Sequence, residues 1–140
     1  MAYTFIKAKG GKIGNSMVED ELITNAQEIL RLAQKLDKQI ILPVDSKASK
    51  DFDNNNQIST FNSKEIEGGW MGLDIGTKSM EIFHQEILTS NTIFWNGPMG
   101  VFEKELFSEG TSSICNSLRE AKEKGVNIIV GGGDSIAALK

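Results

Sequence analysis

The feature that most constrains the fold is a regular alternation of helix-like stretches with short apolar runs along the 140 residues. In the helix-like stretches apolar residues recur at helical spacing, and the runs between them are short and bounded by polar or turn residues. The helix-like stretches are 16–38, 78–88 and 112–124, and the apolar runs are 39–45, 70–75 within the glycine-rich segment 68–76, 92–95 and 126–130. Strands that alternate with helices predict an α/β fold, a three-layer α-β-α arrangement in which helices cover both faces of a mainly parallel sheet.

Several local predictions accompany this pattern. Ser16 followed by Glu19 is typical of a capping box at the start of a helix. The segment 2–8 is apolar and aromatic and fits either a helix turn or a strand. The weaker patterns predict a surface loop at 46–57 with Asn54, Asn55 and Asn56 at its tip, a short strand at 58–61, and the start of an unfinished helix at 136–139.

Composition and charge argue against several classes of protein. No apolar run approaches the roughly 18 residues of a membrane span, and a formal net charge of -4 disfavours nucleic acid or an anionic membrane as partner. The single cysteine, Cys115, cannot form an internal disulfide and fits a reducing, cytoplasmic setting. An anionic small molecule is compatible with this charge because backbone amides can bind phosphate without cationic side chains.

The strongest local signal is the glycine turn, residues 131–135, in which an apolar run meets three glycines and then a helix start. Glycines allow a close backbone approach, and free amides at a helix start favour an anion. Asp134 and Ser135 are also good capping residues. Spacing alone therefore leaves open a phosphate site or a tight capped turn, and no Lys-Ser or Lys-Thr follows to make a Walker pattern.

A second signal is the loop 95–103, which follows a predicted strand and should lie at the carboxyl edge of the sheet. Pro98, Met99 and Val101 offer apolar contact for a flat base, and Glu103 could accept hydrogen bonds from ribose hydroxyls. The alternative is a well-made loop with Glu103 in solvent.

A third signal is the segment 71–76, where Gly72 and Gly76 bracket a predicted strand end. Glycines there could allow a ligand to approach the backbone closely. The simpler interpretation is a turn in which Asp74 caps a helix.

The other residues that attract notice are assigned no chemistry. His84 has no second ligand at suitable spacing and is interpreted as a surface histidine, and Cys115 as a small core residue. Lys47 and Lys50 are expected to be solvated. The sequence offers no metal-ligand cluster, no paired carboxylates of the glycosidase type and no nucleophile elbow.

Taken in order, these motifs resemble the carboxyl-terminal domain of the phosphoglycerate kinase family. The resemblance covers the chain from end to end, and WNGPMGVFE and GGGDS at this separation are its most specific part. The matching segments are MAYTF at 1–5, IGNSMVED at 13–20, LPVD at 42–45, GWMGLDIG at 69–76, FWNGPMGVFE at 94–103 and IVGGGDS at 129–135.

The resemblance implies a two-domain glycolytic kinase that transfers a phosphoryl group between 1,3-bisphosphoglycerate and ADP. Residues 1–140 would be a fragment of its carboxyl-terminal, nucleotide-binding domain, and the amino-terminal, phosphoglycerate-binding domain would be absent. The implied partners are ADP or ATP with Mg²⁺, and 3-phosphoglycerate or 1,3-bisphosphoglycerate through the missing domain. The parent enzyme is expected to be cytoplasmic and monomeric.

The resemblance also assigns roles to individual residues. Nucleotide contact falls to Gly72, Asn96 and Pro98, the ribose hydroxyls to Glu103, and the phosphates to Gly132, Gly133, Asp134 and Ser135. Asp134 would also face the magnesium ion. No catalytic residue is assigned to this chain.

The sequence departs from the family pattern in several places. Thr77 replaces a usual proline, and the polar segment 46–49 replaces usual apolar residues, which leaves open how that strand end packs. The family's glycines before MAYTF, its upstream lysine, its catalytic arginine and its final glycine-rich segment have no counterpart, so we expect the chain to be inactive alone. The alternative is a stand-alone nucleotide-binding module without kinase activity.

Overall fold

A computed structural model describes residues 1–53 and 57–139. The predicted loop tip at Asn54, Asn55 and Asn56 lies outside the described residues. The chain divides into two compact units, residues 1–73 and residues 74–140, each of which has its own helices and strands. No helix among the described residues is long and apolar enough to cross a bilayer.

The described residues of the first unit, 1–53 and 57–73, form two α-helices and five strands. Its elements are α1 (Ala2–Ala8), β1 (Lys12–Ile13), a 3-10 turn (Asp20–Leu22), α2 (Ile23–Lys35), β2 (Asp45–Ser49), β3 (Ile58–Asn62), β4 (Glu65–Ile66) and β5 (Met71–Ile75), whose last residues enter the second unit. The β1 and β4 strands pair in parallel. The β2 strand lies between β3, to which it is antiparallel, and β5. Segment 2–8 is thus helical, and the predicted strand at 58–61 is confirmed.

The core of the first unit is small and contains several polar side chains. Ile6, Ile13, Ala26 and Ala48 are among its buried apolar residues. Near this core the rings of Phe61 and Trp70 lie 5.1 Å apart, and the Lys50 ammonium is 5.0 Å from the centre of the Trp70 ring. Lys50 is exposed, as expected, and its ammonium also lies against an aromatic face. Lys47, in contrast, is half-buried, so the expectation that it is solvated is wrong.

The predicted strand at 39–45 is wrong, because the strand begins at Asp45 and continues to Ser49. Proline at position 43 cannot donate to a ladder, which disfavours the apolar segment as a strand. Ser46 and Ser49, expected in a surface loop at 46–57, are fully buried instead. Their hydroxyls are hydrogen-bonded, Ser46 with Tyr3 and Ser63, and Ser49 with the Asp51 carbonyl, so both buried hydroxyls have partners.

The predicted helix at 16–38 is also shorter than expected, and its capping box does not form. The helix starts at Ile23, after the 3-10 turn, and ends at Lys35. The Ser16 hydroxyl accepts a hydrogen bond from the Gly72 amide at 2.9 Å, and the Glu19 amide donates to Thr4 Oγ1 at 3.2 Å. Tertiary partners therefore take the groups that a local capping box would use.

Residues 74–139 of the second unit, the part that the structure describes, form three α-helices and two parallel strands. Its elements are α3 (Thr77–Thr89), β6 (Thr92–Asn96), a 3-10 turn (Glu105–Phe107), α4 (Glu109–Glu123), β7 (Asn127–Gly131) and α5 (Gly133–Ala138). The predicted helices at 78–88 and 112–124 and strands at 92–95 and 126–130 are confirmed to within a few residues, and Gly125, at φ +87°, follows α4 as expected. The last helix begins earlier than predicted, at Gly133 instead of Ile136.

The core of the second unit lies between its strand pair and its helices. Trp95, Ile114 and Leu118 are buried together, with Phe83 and Ile128 among the half-buried residues packed against them. On the strands, Phe94 and Ile129 are paired neighbours that remain 64% and 56% exposed. Helices that alternate with strands, and parallel pairing at β1–β4 and β6–β7, confirm the predicted α/β class.

Candidate functional site

The glycine turn and the loop after β6 meet at one end of the β6–β7 pair. The two strands are parallel, and Asn96 at the end of β6 lies opposite Gly131 at the end of β7. Because both strands end at the same edge, the segments that follow leave the sheet side by side. The Gly97 amide donates to the Ser135 hydroxyl at 2.7 Å, which joins the two segments. Predicted site residues from both motifs are thus brought together.

The backbone conformation of Gly132 and the closeness of Asn96 both require a glycine at this position. Its φ is +87°, a region that side chains disfavour, and a Cβ there would lie 2.9 Å from Asn96 Oδ1. Gly132 is also the N-cap residue of α5. The predicted alternative, capping by Asp134 or Ser135, is therefore wrong: Ser135 is fully buried, and its hydroxyl accepts from Gly97 instead.

Gly133 differs from Gly132 in both respects. Its φ lies outside the left-handed region, and a Cβ built on it would meet no atom within 4 Å. It is exposed and is the first residue of α5, where backbone amides have no partner within the helix. Neither its backbone conformation nor its neighbours require a glycine at this position. The space beside the start of α5 is therefore open at Gly133.

The charged candidates lie on the surface of the second unit. Asp134 is exposed in the first turn of α5 and has no hydrogen-bond or ion-pair partner among the described residues. Glu103 is exposed on the loop after β6, where Pro98 is half-buried. The Met99 carbonyl in this loop accepts from Thr111 Oγ1 at 2.6 Å, which ties the loop to α4. No group of three or more acidic, histidine or cysteine side chains that could hold a metal occurs within residues 1–53 and 57–139.

Gly72 belongs to the first unit and is held there by two side chains. Its amide donates to the Ser16 hydroxyl at 2.9 Å, and a Cβ at position 72 would overlap the hydroxyl and Cζ of Tyr3. The structure therefore supplies a packing reason for this glycine that sequence reasoning missed. The sequence offers one weak signal for this contact, because Tyr3 and Gly72 both lie in segments that match the family motifs.

Asp74 caps a helix, as one interpretation of its segment predicted, but the helix is distant in sequence. The buried carboxylate accepts the Gly110 amide on Oδ2 and the Ile75 amide on Oδ1, each at 2.8 Å. Gly110 lies in the first turn of α4, so the carboxylate satisfies a helix-start amide and interacts favourably with the helix dipole. A Cβ at position 110 would overlap Asp74 Oδ1, which explains the glycine there.

His84 contacts α4 and is less exposed than predicted. Its Nδ1 lies 3.0 Å from the Ser117 hydroxyl, and its Nε2 lies 3.8 Å from Glu120 Oε2. The Ser117 hydroxyl donates its proton to the Ser113 carbonyl at 2.8 Å. The proton therefore does not point at His84, which is not placed to remove it as a base. A hydrogen bond from Lys124 lowers the pKa of the Glu120 carboxyl. The group is a contact between α3 and α4 that lacks the geometry of an activated nucleophile.

Cys115 is half-buried against the core of the second unit, as predicted for a small core residue. Burial raises the pKa of its thiol, and its Sγ lies 3.6 Å from the Ala138 carbonyl of α5.

Three grooves among the described residues lie away from the glycine turn. Grooves of about 850 and 580 Å³ lie in the first unit, lined respectively by residues of the β1–β4 region and of α2, and one of about 370 Å³ lies beside His84. Each is wide and open, and none is lined by the residues that the sequence assigns to nucleotide contact. These three grooves therefore give no support to the predicted nucleotide site, for which the backbone geometry at the glycine turn is more informative.

Comparison with known proteins adds the family. The family model for phosphoglycerate kinase matches residues 1–140. The phosphoglycerate kinase of Elusimicrobium minutum is 44% identical over 140 residues, which are all of this chain and 35% of that protein. The chloroplastic phosphoglycerate kinase 1 of Arabidopsis thaliana is also 44% identical, over 140 residues and 29% of its length.

Solved structures agree with these matches. The phosphoglycerate kinase of Coxiella burnetii superposes with a TM-score of 0.92 at 32% identity, covering 99% of this chain and 35% of that one. The enzyme of Pyrococcus horikoshii, at 24% identity and a TM-score of 0.78, shows the same fold. The chain spans about a third of the length of the relatives it matches. With a family model matched over its whole length, the chain belongs to the phosphoglycerate kinase family.

Proposed function

We propose that this chain supplies the ADP/ATP site of a phosphoglycerate kinase. That enzyme transfers a phosphoryl group between 1,3-bisphosphoglycerate and ADP to give 3-phosphoglycerate and ATP. Residues 1–140 are then part of the nucleotide-binding domain, and the phosphoglycerate site lies outside them. Family membership over the full length of the chain supports this assignment. We further propose that the parent enzyme is cytoplasmic and monomeric.

The observation that carries the proposal is the open space over Gly133. Gly132 is explained by its positive φ and by Asn96, whereas neither backbone conformation nor packing requires Gly133. A glycine whose Cβ direction is empty at a helix start is suited to a ligand that lies against the backbone. The helix-start amides and dipole favour an anion, such as the phosphates of a nucleotide.

The neighbouring residues support a nucleotide laid across both loops. The Gly97–Ser135 hydrogen bond fixes the glycine turn against the loop that carries Asn96 and Pro98. In the proposed arrangement Gly132 and Gly133 present amides to phosphate oxygens, and Ser135 lies beside them in the first turn of α5. Asn96 and Pro98 contact the nucleoside, and Glu103 accepts from the ribose hydroxyls.

A magnesium ion fits this set of residues through one side chain. Magnesium usually keeps several waters and binds one or two carboxylates together with substrate phosphates, so a cluster of acids is not required. Asp134 is exposed and unpartnered among the described residues, and it lies one residue from the open glycine. The bound ion would neutralise charge on the phosphate oxygens.

The contribution of this chain to the reaction is therefore binding and orientation. Phosphoryl transfer depends on positioning and on charge stabilisation more than on covalent chemistry. The glycine turn holds the phosphates, and the joined loops fix the direction in which the nucleotide points. We assign no catalytic residue to this chain, because the second substrate binds outside it in the proposed enzyme.

The role of Asp134 can be tested in a chimera in which this chain replaces the matching segment of the Elusimicrobium minutum enzyme. Asp134→Asn removes the charge and keeps the size, so we expect an unchanged melting temperature and a turnover lower by on the order of 10²-fold. Asp37→Asn, at an exposed position in the first unit, is the matched control and should leave both unchanged. Normal magnesium-dependent turnover of Asp134→Asn would remove Asp134 from the site.

A further inference from the structure

Both ring nitrogens of His84, on α3, face side chains of α4. Its Nδ1 lies 3.0 Å from Ser117 Oγ, and its Nε2 lies 3.8 Å from Glu120 Oε2. The two partners are one helical turn apart on α4. All three residues belong to the second unit and line one groove of about 370 Å³. The contact is therefore internal to one compact unit.

The Ser117 hydroxyl determines which ring nitrogen carries the proton in the neutral histidine. A hydroxyl has one hydrogen, and Ser117 donates it to the Ser113 carbonyl at 2.8 Å. Towards the ring the hydroxyl can then only accept, so Nδ1 must be the protonated nitrogen. In the neutral ring the lone pair is consequently on Nε2, the nitrogen nearest Glu120 Oε2. Neither of these two atoms can donate a hydrogen bond to the other.

Glu120 keeps its negative charge in the pH range in which histidines titrate. A hydrogen bond from Lys124, together with the charges of Lys124 and His84, lowers the pKa of the Glu120 carboxyl. Lys124 binds Oε1 at 2.8 Å, whereas Oε2 is the oxygen nearest the ring. Histidine is the side chain whose charge ordinarily changes between pH 5 and 8. A proton taken up at Nε2 thus turns a contact between two acceptors into an ion pair.

Negative groups outnumber positive groups around the ring. The carboxylates that line the groove or lie one helical turn from His84 are Glu81, Glu109 and Glu120. The cations bonded to residues of the groove are Lys124, on Glu120, and Arg119, on Asn116. The His84 side chain keeps 34% of its surface exposed, so a charge on it stays partly solvated. These surroundings attract a positive charge on the ring.

We propose that His84, Ser117 and Glu120 form a pH-sensitive contact that binds α3 to α4 more tightly when His84 takes up a proton. The ion pair exists only in the folded chain, in which the two helices are packed together. It therefore adds stability at low pH, and this contribution is lost as the pH rises and the ring becomes neutral. The contact is independent of the proposed nucleotide site, because it needs no ligand.

Melting temperatures of the unmodified chain and of His84→Gln at pH 5.5 and 7.5 test the pH dependence. The two proteins share every other titratable group, so the difference between their melting temperatures isolates His84. We expect this difference to favour the unmodified chain by about 1–3 °C more at pH 5.5 than at pH 7.5, which is the size of one partly exposed ion pair.

Two carboxylate variants show whether Glu120 is the partner. In a Glu120→Gln background, His84→Gln should have the same effect at both pH values. Asp20→Asn is the matched control, because it breaks an exposed ion pair with Lys7 in the first unit and should leave the pH-dependent difference intact. A His84→Gln effect that is equal at both pH values in the unmodified chain, or a pH-dependent difference that persists without Glu120, would overturn the proposal.

Nitrogen-15 NMR of the imidazole tests the tautomer. His84 is the only histidine in the sequence, so its ring signals are unambiguous. At pH 8 we expect the proton on Nδ1 and an unprotonated Nε2. Ser117→Ala removes the acceptor for Nδ1, so the proton should move towards Nε2, where it can bond to Glu120, and the pH-dependent difference should shrink. A neutral ring protonated on Nε2 in the unmodified chain would also overturn the proposal.

Discussion

Replacing Asp74 by alanine should destabilise the second unit more than a typical surface change. Asp74 is buried, and its Oδ2 accepts the buried Gly110 amide at 2.8 Å in the first turn of α4. Alanine would leave that amide without its partner, which costs about 1–3 kcal/mol, and would remove a charge at a helix start worth about 0.3–1 kcal/mol. The Ile75 amide loses its bond to Oδ1 as well. We therefore expect a loss of about 2–4 kcal/mol in the free energy of unfolding.

Urea unfolding followed by circular dichroism measures this loss. With an m-value of about 2 kcal/mol/M, the midpoint should fall by about 1–2 M. Asp74→Asn keeps one acceptor oxygen and should lie between the alanine variant and the unmodified chain. Lys124→Ala, which removes an exposed pair with Glu120, is the control and should give no resolvable shift. A midpoint for Asp74→Ala that matches this control would refute the capping role.

Two further predictions concern reactivity and activity. Burial raises the pKa of the Cys115 thiol above its ordinary value, so the thiolate is scarce at neutral pH. Iodoacetamide should therefore modify the folded chain more slowly than a small-molecule thiol at pH 8, and an equal rate would contradict this. The chain alone should not phosphorylate 3-phosphoglycerate in a coupled assay, because half of the proposed active site lies outside it. Turnover by the chain within the typical kinase range of about 1–100 per second would contradict this prediction.

The elements of the second unit could be predicted because their signals are local. Apolar spacing located α3 and α4, and short apolar runs between turn signals located β6 and β7. The region 39–49 was mispredicted because the residues that make it a strand are distant in sequence. Ser46 can be buried only because Tyr3 and Ser63 supply hydrogen-bond partners, which the pattern of apolar residues does not reveal.

The candidate site was predictable at the level of motifs and not of contacts. Parallel strands put the loop after β6 beside the glycine turn, as a general rule for such sheets predicts. The difference between Gly132 and Gly133 depends on φ and on the position of Asn96, which no spacing rule specifies. The bond between Asp74 and Gly110 likewise depends on how a strand end meets a distant helix start.

The most direct test of a nucleotide site in this chain is a calorimetric titration with Mg-ADP of the unmodified chain and of Gly133→Val. The space over Gly133 is empty, so the variant should keep a melting temperature within about 2–4 °C of the original. The same added side chain would lie where we propose the phosphates bind. Saturable binding by the unmodified chain and an affinity at least about tenfold weaker in Gly133→Val are expected, which corresponds to about 1.4 kcal/mol. Equal affinity in the two proteins, or no binding by the unmodified chain, would contradict the proposed site.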